Sequence, residues 1–254
     1  MTLRPPENPI QAPGTPLSHW QASPTLQAVP AIHLDQLVPE GSRLVVVAPH
    51  PDDEVLGCGG LLASLQGREH DLIVVSVSDG EASHPYSRHW TSERLRQQRP
   101  RESAEALRRL GLVMENLTWL RLGLADSAIA NHERGLTERL VHLLRPGDRV
   151  LTTWRLDGHC DHEAVGRACA RACERVGAQL IEVPIWAWHW ARPDDPRLPW
   201  QRAQKLFLDS AVLALKRQAI TAHTSQLQAD GERPPVLDRE ALARLLQPFE
   251  LVFT

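Results

Sequence analysis

The chain has 254 residues, of which 42% are hydrophobic and 23% charged, and a formal net charge of −3. That balance excludes collagen, coiled coil and wholesale disorder, and it leaves no general basic footprint for nucleic acid. No apolar run approaches the roughly 20 residues that span a bilayer, and the length suits one or two domains of roughly 150 residues.

Residues 1–32 are rich in Pro, Gln, Thr and Ser and keep no sustained period. They are expected to form an extension that lies on the surface or is disordered, ahead of a single domain over 33–254. The N-terminus lacks the basic, apolar, small-residue order of a secretory signal, and Cys58, Cys160, Cys169 and Cys173 are too few and too clustered for a disulfide framework. A reducing, cytoplasmic setting is expected. Five apolar runs read as buried strands: Leu44–Ala48, Leu72–Val77, Leu117–Leu122, Arg149–Thr153 and Leu180–Ile185. Helical spacing lies between them over 54–66, 92–110, 132–145 and 162–176. In the second of these helices Glu93, Glu102 and Glu105 interleave with the arginines, as on a solvated face. A long helical pattern over 209–228 and a shorter one over 238–246 close the chain. Strands alternating with helices predict an α/β domain, a parallel sheet with helices on both faces, and a C-terminal helical elaboration.

In open parallel sheets ligands bind beyond the carboxyl ends of the strands, so those ends are where chemistry is sought. The first strand runs into Pro49-His50-Pro51-Asp52-Asp53-Glu54, then Val55-Leu56-Gly57-Cys58-Gly59-Gly60. A helix start explains any one of these acids; three in a row beside a histidine repel one another and call for a cation. The second strand is followed by Ser78-Asp79-Gly80-Glu81 and the third by Gly123-Leu124-Ala125-Asp126-Ser127, both readable as polar loops with helix caps. The fourth is followed by Trp154-Arg155-Leu156-Asp157-Gly158-His159-Cys160-Asp161-His162-Glu163, which packs two histidines and three acids into its last seven residues.

Three metal ligands can be assembled from these ends: His50, Asp53 and His162. Two imidazoles and one carboxylate leave coordination positions open, the mark of a catalytic ion, and Zn2+ suits the donors. Asp52 is the natural general base for water at such an ion, with His159 as oxyanion stabiliser or general acid. Asp157 is placed to orient His159, or to cap a turn. A structural zinc site from Cys160, Cys169, Cys173 and His162 is the competing use of the cysteines. It lacks a close Cys-x-x-Cys pair, and small buried helix residues account better for Cys169 and Cys173.

Taken together, Pro49-His50-Pro51-Asp52-Asp53-Glu54 and His159-Cys160-Asp161-His162 resemble the LmbE-like, or PIG-L, family of zinc-dependent N-deacetylases. Ser78-Asp79-Gly80-Glu81 is similar to the family's second strand end. Arg99, Glu102, Ala106, Leu110 and Gly111 follow its central helix, and Lys216-Arg217, His223, Ser225 and Gln226 its late one; the resemblance covers roughly residues 43–226. It implies a Rossmann-like fold and a cytoplasmic hydrolase that removes an N-acetyl group from a small-molecule amino sugar or glycoconjugate. It carries metal ligation onto His50, Asp53 and His162, the base role onto Asp52 and the oxyanion or acid role onto His159. It places Arg99 and Asp126 on sugar hydroxyls, with Glu81 as a third substrate-binding expectation. Two positions depart from the family pattern: Cys160 stands where a proline is common, and Asp157 where some members carry a tyrosine.

The run Ile185-Trp186-Ala187-Trp188-His189-Trp190 supplies, with Trp200, half of the eight tryptophans. It reads either as a substrate wall or as cover for an interdomain or subunit surface, the latter leaving room for a homo-oligomer. Two other function classes stand beside the deacetylase. A non-haem Fe(II) enzyme uses the same two-histidine, one-carboxylate triad, but no jelly-roll strand pattern is present to house it. A non-catalytic Rossmann-like binding module could use Gly57-Cys58-Gly59-Gly60, but the spacing is not that of a dinucleotide fingerprint.

Overall fold

The computed structural model describes residues 14–254. Three short helices, α1 (Leu17–Gln21), α2 (Pro24–Ala28) and α3 (Leu34–Leu37), lead into β1 (Leu44–Ala48) and α4 (Asp53–Ala63). The alternation continues with β2 (Leu72–Ser78), α5 (Ser92–Arg109), β3 (Thr118–Leu124), α6 (Glu133–Leu143), β4 (Arg149–Thr153), α7 (Cys160–Val176) and β5 (Gln179–Val183). The C-terminal part adds α8 (Ala187–Trp190), β6 (Ala203–Phe207), α9 (Ser210–Ile220), α10 (Thr224–Leu227), α11 (Arg239–Leu245) and β7 (Phe249–Phe253).

Among the described residues the strands form one sheet in the order β3-β2-β1-β4-β5-β7-β6. The first five are parallel, with Leu44 level with Leu72 on one side and Arg149 on the other. This 3-2-1-4-5 order is the doubly wound arrangement, and the chain reverses direction across the sheet between β1 and β4, where a crevice must open. β1 is buried along its whole length and β4 from Val150 onward, which is why Leu44-Val45-Val46-Val47 is apolar at every position. The two core layers divide those side chains by the pleat: Leu44 and Val46 face one layer, Val45 and Val47 the other.

The α/β architecture and the five parallel strands match expectation. The antiparallel pair β7-β6 does not appear in the sequence reading. Its strands are five residues each, and the second closes the chain without a turn signal to announce it. The helical pattern over 209–228 is broken at 221–223, which turns Thr224 and Ser225 onto the carboxylate of Glu102. Glu102 is therefore buried rather than part of a solvated face, while Glu93 is exposed and Glu105 half-buried.

The described part of the N-terminal extension lies against the domain through buried anchors. Residues 14–32 pack on the domain: Trp20 is 1% exposed, donates its indole N–H to the Trp188 carbonyl, and Lys205 donates to the Pro30 carbonyl. Residues 1–13 of the extension lie outside the described residues. The glycines after the first motif also have a use. A Cβ on Gly57 would meet Val183 at 2.7 Å and one on Gly60 would meet Leu208 at 2.5 Å, so they let α4 lie close against its neighbours. No described helix is long and apolar enough to cross a membrane.

Candidate active site

The ends of β1 and β4 flank the crevice, and the residues that follow them meet there. Asp52 takes φ 151°, a backbone region that favours glycine, and so turns the chain from β1 into α4. Asp53 opens that helix, and its Oδ2 accepts the backbone N–H of His50 at 2.9 Å. After β4, His159 caps α7: its Nδ1 accepts the Asp161 N–H at 3.2 Å, and His162 follows in the first turn. Helix starts at two neighbouring strand ends thus bring distant side chains together, the second of them capped by His159.

One carboxylate oxygen is the meeting point. Asp53 Oδ2 lies 3.2 Å from His50 Nδ1 and 3.3 Å from His162 Nε2. The ring of His159 lies 4.9 Å from that of His50 and 4.8 Å from that of His162. His50, Asp53 and His162 therefore converge, and His159 sits beside them. The tautomers follow from the outer partners. His162 Nδ1 is 2.8 Å from Asp157 Oδ2, so it carries the proton and leaves Nε2 with its lone pair inward. His162 is fully buried, and that Nε2 has no hydrogen-bond partner. A buried lone pair facing a carboxylate is costly on its own and is satisfied by a cation. The donor set of two imidazoles and one carboxylate fits a divalent ion such as zinc. His50, His159 and His162 also form a group with spacing suited to an ion.

The acids of the cluster draw positive charge inward: burial alone would lower the pKa of His162, but Asp53 and Asp157 outweigh it and raise it to about 9, so Nε2 takes up a proton where no other cation meets it. Burial alone would lower the pKa of His50, but Asp126, Asp161 and Asp53 outweigh it and raise it well above the usual histidine range. Burial likewise opposes ionisation of Asp53, yet His162 and His50 hold it well below the usual carboxylate range. Burial pushes Asp52 up to about 6, against the pull of Arg99, whose guanidinium donates to its Oδ2 at 3.1 Å. Burial and the neighbouring His162 and His50 push His159 down to about 3, so it is a neutral ring with Nε2–H available.

A cavity of about 540 Å³ opens over these groups. Its polar wall holds Asp52, Arg99, Asp126, Ser83 and Gln226, and its apolar wall Leu56, Ile185, Trp186 and Leu237. Arg99 and Asp126, expected from the family pattern on the substrate, both line this cavity. Glu81 does not line the cavity; its Oε1 accepts from Arg96 at 3.2 Å and from the Asp126 N–H at 3.4 Å, bracing the loop beneath. The tryptophan run divides. Trp186 lines the cavity, Trp188 packs edge-on to Trp20 at 4.9 Å, and Trp190 stacks on Trp154 at 6.4 Å. His189 lies away from the cavity, where its Nδ1 meets Arg244 at 2.9 Å.

Of the two readings of Asp157, the turn-capping one fits the structure and the orienting of His159 does not. It partners His162, not His159, and it accepts the N–H groups of Ile185, Trp186 and Ala187 at 3.0, 2.9 and 2.9 Å. It thereby fixes an imidazole of the cluster to the start of the apolar wall. Its spacing of five from His162 gave no signal, because the link runs through a bend and not along one helix face. Gln226 was legible only as part of a motif; Glu102, through Ser225, puts it at the cavity. Among the described residues, none of the groups able to hold an ion includes Cys169 or Cys173, both of which are buried in the core.

Comparison with known proteins agrees with this geometry. The family model described as PIG-L, GlcNAc-PI de-N-acetylase, matches residues 45–173. The 1D-myo-inositol 2-acetamido-2-deoxy-alpha-D-glucopyranoside deacetylase of Mycobacterium sp. (strain KMS) is 29% identical over 179 residues, 61% of this chain and 56% of the relative. The match thus spans little more than half of that relative's length. The deacetylase of the same description from Corynebacterium diphtheriae is 26% identical over 250 residues, 82% of this chain and 84% of the relative. The solved structure of N,N'-diacetylchitobiose deacetylase from Pyrococcus horikoshii has a similar fold, with a TM-score of 0.57 at 19% identity, covering 78% of this chain and 75% of that one.

Proposed function

The chain belongs to the PIG-L family of GlcNAc-PI de-N-acetylases, and on that premise we propose that it is a zinc-dependent hydrolase that releases the N-acetyl group of an amino sugar or glycoconjugate. The observation that carries the reading is the buried, unpartnered Nε2 of His162, facing Asp53 and His50 at the floor of the cavity. His50, Asp53 and His162 would hold the ion. Once bound, it supplies Lewis acidity for the amide carbonyl and lowers the pKa of water.

The chain's own residues do the rest. Asp52 takes the proton of the attacking water, which then adds to the acyl carbon. Arg99 holds the carboxylate of Asp52 in place. The Nδ1 of His159 is occupied by the Asp161 N–H, so Nε2–H points outward as a neutral donor. That assigns His159 to the developing oxyanion rather than to acid catalysis. The proton collected by Asp52 is delivered to the departing nitrogen, giving acetate and a free amine. Arg99 and Gln226 on the polar wall meet sugar hydroxyls, and Trp186 with Leu237 covers an apolar face of the substrate.

The test is a screen of N-acylated amino sugars that reads released amine, with and without a chelator. Amine release is expected to stop on chelation and return with added zinc, and His162→Ala is expected to lose the metal. Undiminished amide cleavage by folded, metal-free protein would remove the reading.

A further inference from the structure

We propose that the N-terminal extension supports the active cavity: Thr15 and Trp20 are positioning residues that hold α8, and through it Trp186, in place for the substrate. The proposal rests on the deacetylase reading for the reaction that reports it, but not for the support itself.

α8 is a helix of one turn, Ala187–Trp190, and a single turn does not hold itself. Each end leaves backbone groups without partners inside the helix, so the turn stands only where other parts of the chain supply them. At the amino end Asp157 accepts the N–H groups of Ile185, Trp186 and Ala187. At the carboxyl end the N-terminal extension supplies the donors. The indole N–H of Trp20 donates to the Trp188 carbonyl at 3.0 Å, and the backbone N–H of Thr15 to the His189 carbonyl at 2.8 Å. The Thr15 hydroxyl donates to the Ala191 carbonyl at 2.7 Å. The fit is close. A Cβ on Gly14 would meet Nδ1 of His189 at 2.5 Å. The buried Arg244 of α11 spans the joint: it donates to the Thr15 carbonyl at 3.3 Å, and its other terminal nitrogen lies 2.9 Å from His189 Nδ1.

Trp186 stands at the start of α8 and depends on that support, because close packing does not fix it. Ile185, Trp186 and Leu237 line the active cavity and also a narrower one, which they share with His189, Ala241 and Arg244. A wall with space on both sides is positioned by the ends of its element.

The experiment uses the full chain, loaded with zinc, and an aryl glycoside of N-acetylglucosamine, reading released amine. Thr15→Val removes one hydroxyl from a half-buried position and spares the core. It is expected to raise KM about 3–10-fold with kcat within about 2-fold, since the wall touches bound substrate and not the reacting atoms. Thr15→Ser keeps the hydroxyl and is expected to keep the wild-type KM. In a Trp186→Ala background Thr15→Val is expected to have no further effect on KM, because the contact it acts through is gone. Additive effects on KM, or a loss of zinc from Thr15→Val, would place the influence of the extension elsewhere and overturn the proposal. So would a lowered denaturant midpoint with KM unchanged, the result that a merely structural contact gives. Hydrogen exchange reads the support without substrate. The amides of Trp190 and Ala191, which close α8 onto the Trp186 and Ala187 carbonyls, are expected to exchange about 5–10-fold faster in Thr15→Val, with Val150 of β4 unchanged. Equal protection of Trp190 and Ala191 in the two proteins would overturn the proposal. A wild type that releases no amine sinks the deacetylase reading instead, and the exchange rates then decide on the support alone.

Discussion

The chain buries charge in two places, and they are built to different ends. Beyond the parallel half of the sheet lies the His50, Asp53, His162 cluster. At its antiparallel end, Lys216 and Glu250 form a pair with Nζ and Oε1 2.7 Å apart, both nearly inaccessible. Glu250 also accepts the N–H groups of Gly60 and Leu61 at 2.7 and 2.8 Å, near Cys58, where α4 is kinked. Each charge there has its partner within the chain, and the pair lies outside the cavity, so it closes a structure. The cluster at the parallel end is left incomplete by the chain itself: its inner nitrogen is buried without a hydrogen-bond partner, and the cavity lies directly over the cluster. A satisfied buried pair marks architecture; an unsatisfied one open to a cavity marks a binding site.

Two substitutions separate the two kinds of site. Asp52→Asn keeps the size of the side chain and removes only the base. It is expected to retain zinc while kcat falls by about 10²–10⁴-fold, as steady-state kinetics on an N-acetylated amino sugar would read. Turnover at the wild-type rate would remove Asp52 from the reaction. Lys216→Met strands the buried carboxylate of Glu250 and is expected to cost about 3–5 kcal/mol in urea unfolding, while the folded protein binds zinc as before. Weakened zinc binding in folded Lys216→Met would show that the two sites are not independent.

The smallest effect concerns His223, a third kind of buried group: fully enclosed, with neither ring nitrogen partnered and its pKa pushed down to about 3 by burial. Because the unfolded ring protonates near pH 6.5 and the folded one does not, the unfolded state binds more protons below that pH. Stability is then lost as pH falls from 6.5 towards 3, by about 2 kcal/mol at pH 5. In His223→Leu the difference between denaturant midpoints at pH 7 and pH 5 should shrink accordingly; an unchanged difference would place the acid sensitivity elsewhere.

The strands that position the site were legible because their function is burial. Leu44–Ala48 and Arg149–Thr153 agree with the structure to the residue, since continuous β-branched runs have one use at the centre of a parallel sheet. His50, Asp53 and His162 were legible because acids and histidines crowded at strand ends repel or desolvate one another unless a cation joins them. The tryptophan run was not divisible beforehand: Trp186, Trp188 and Trp190 are alike in sequence, and only the short α8 turns one ring to the cavity and two to the core. The anchoring of the N-terminal residues was not legible for a related reason. Trp20, Ser23, Leu26, Val29 and Ile32 are buried at every third position, but the polar Ser23 interrupts the apolar pattern that such a spacing would show.

Taken alone, the sequence determined the local rules: which segments extend, which coil, and where along the chain charge collects beyond what a surface needs. Tertiary structure decided the pairings across distance. It gave Asp157 to His162, set Asp126 and Asp161 on one nitrogen of His50, and carried Glu250 back to α4. Hydrogen bonds and ion pairs act over about 3 Å, whereas Asp126 stands 76 residues from His50 in the chain. Such contacts exist only after the sheet has set its strand order.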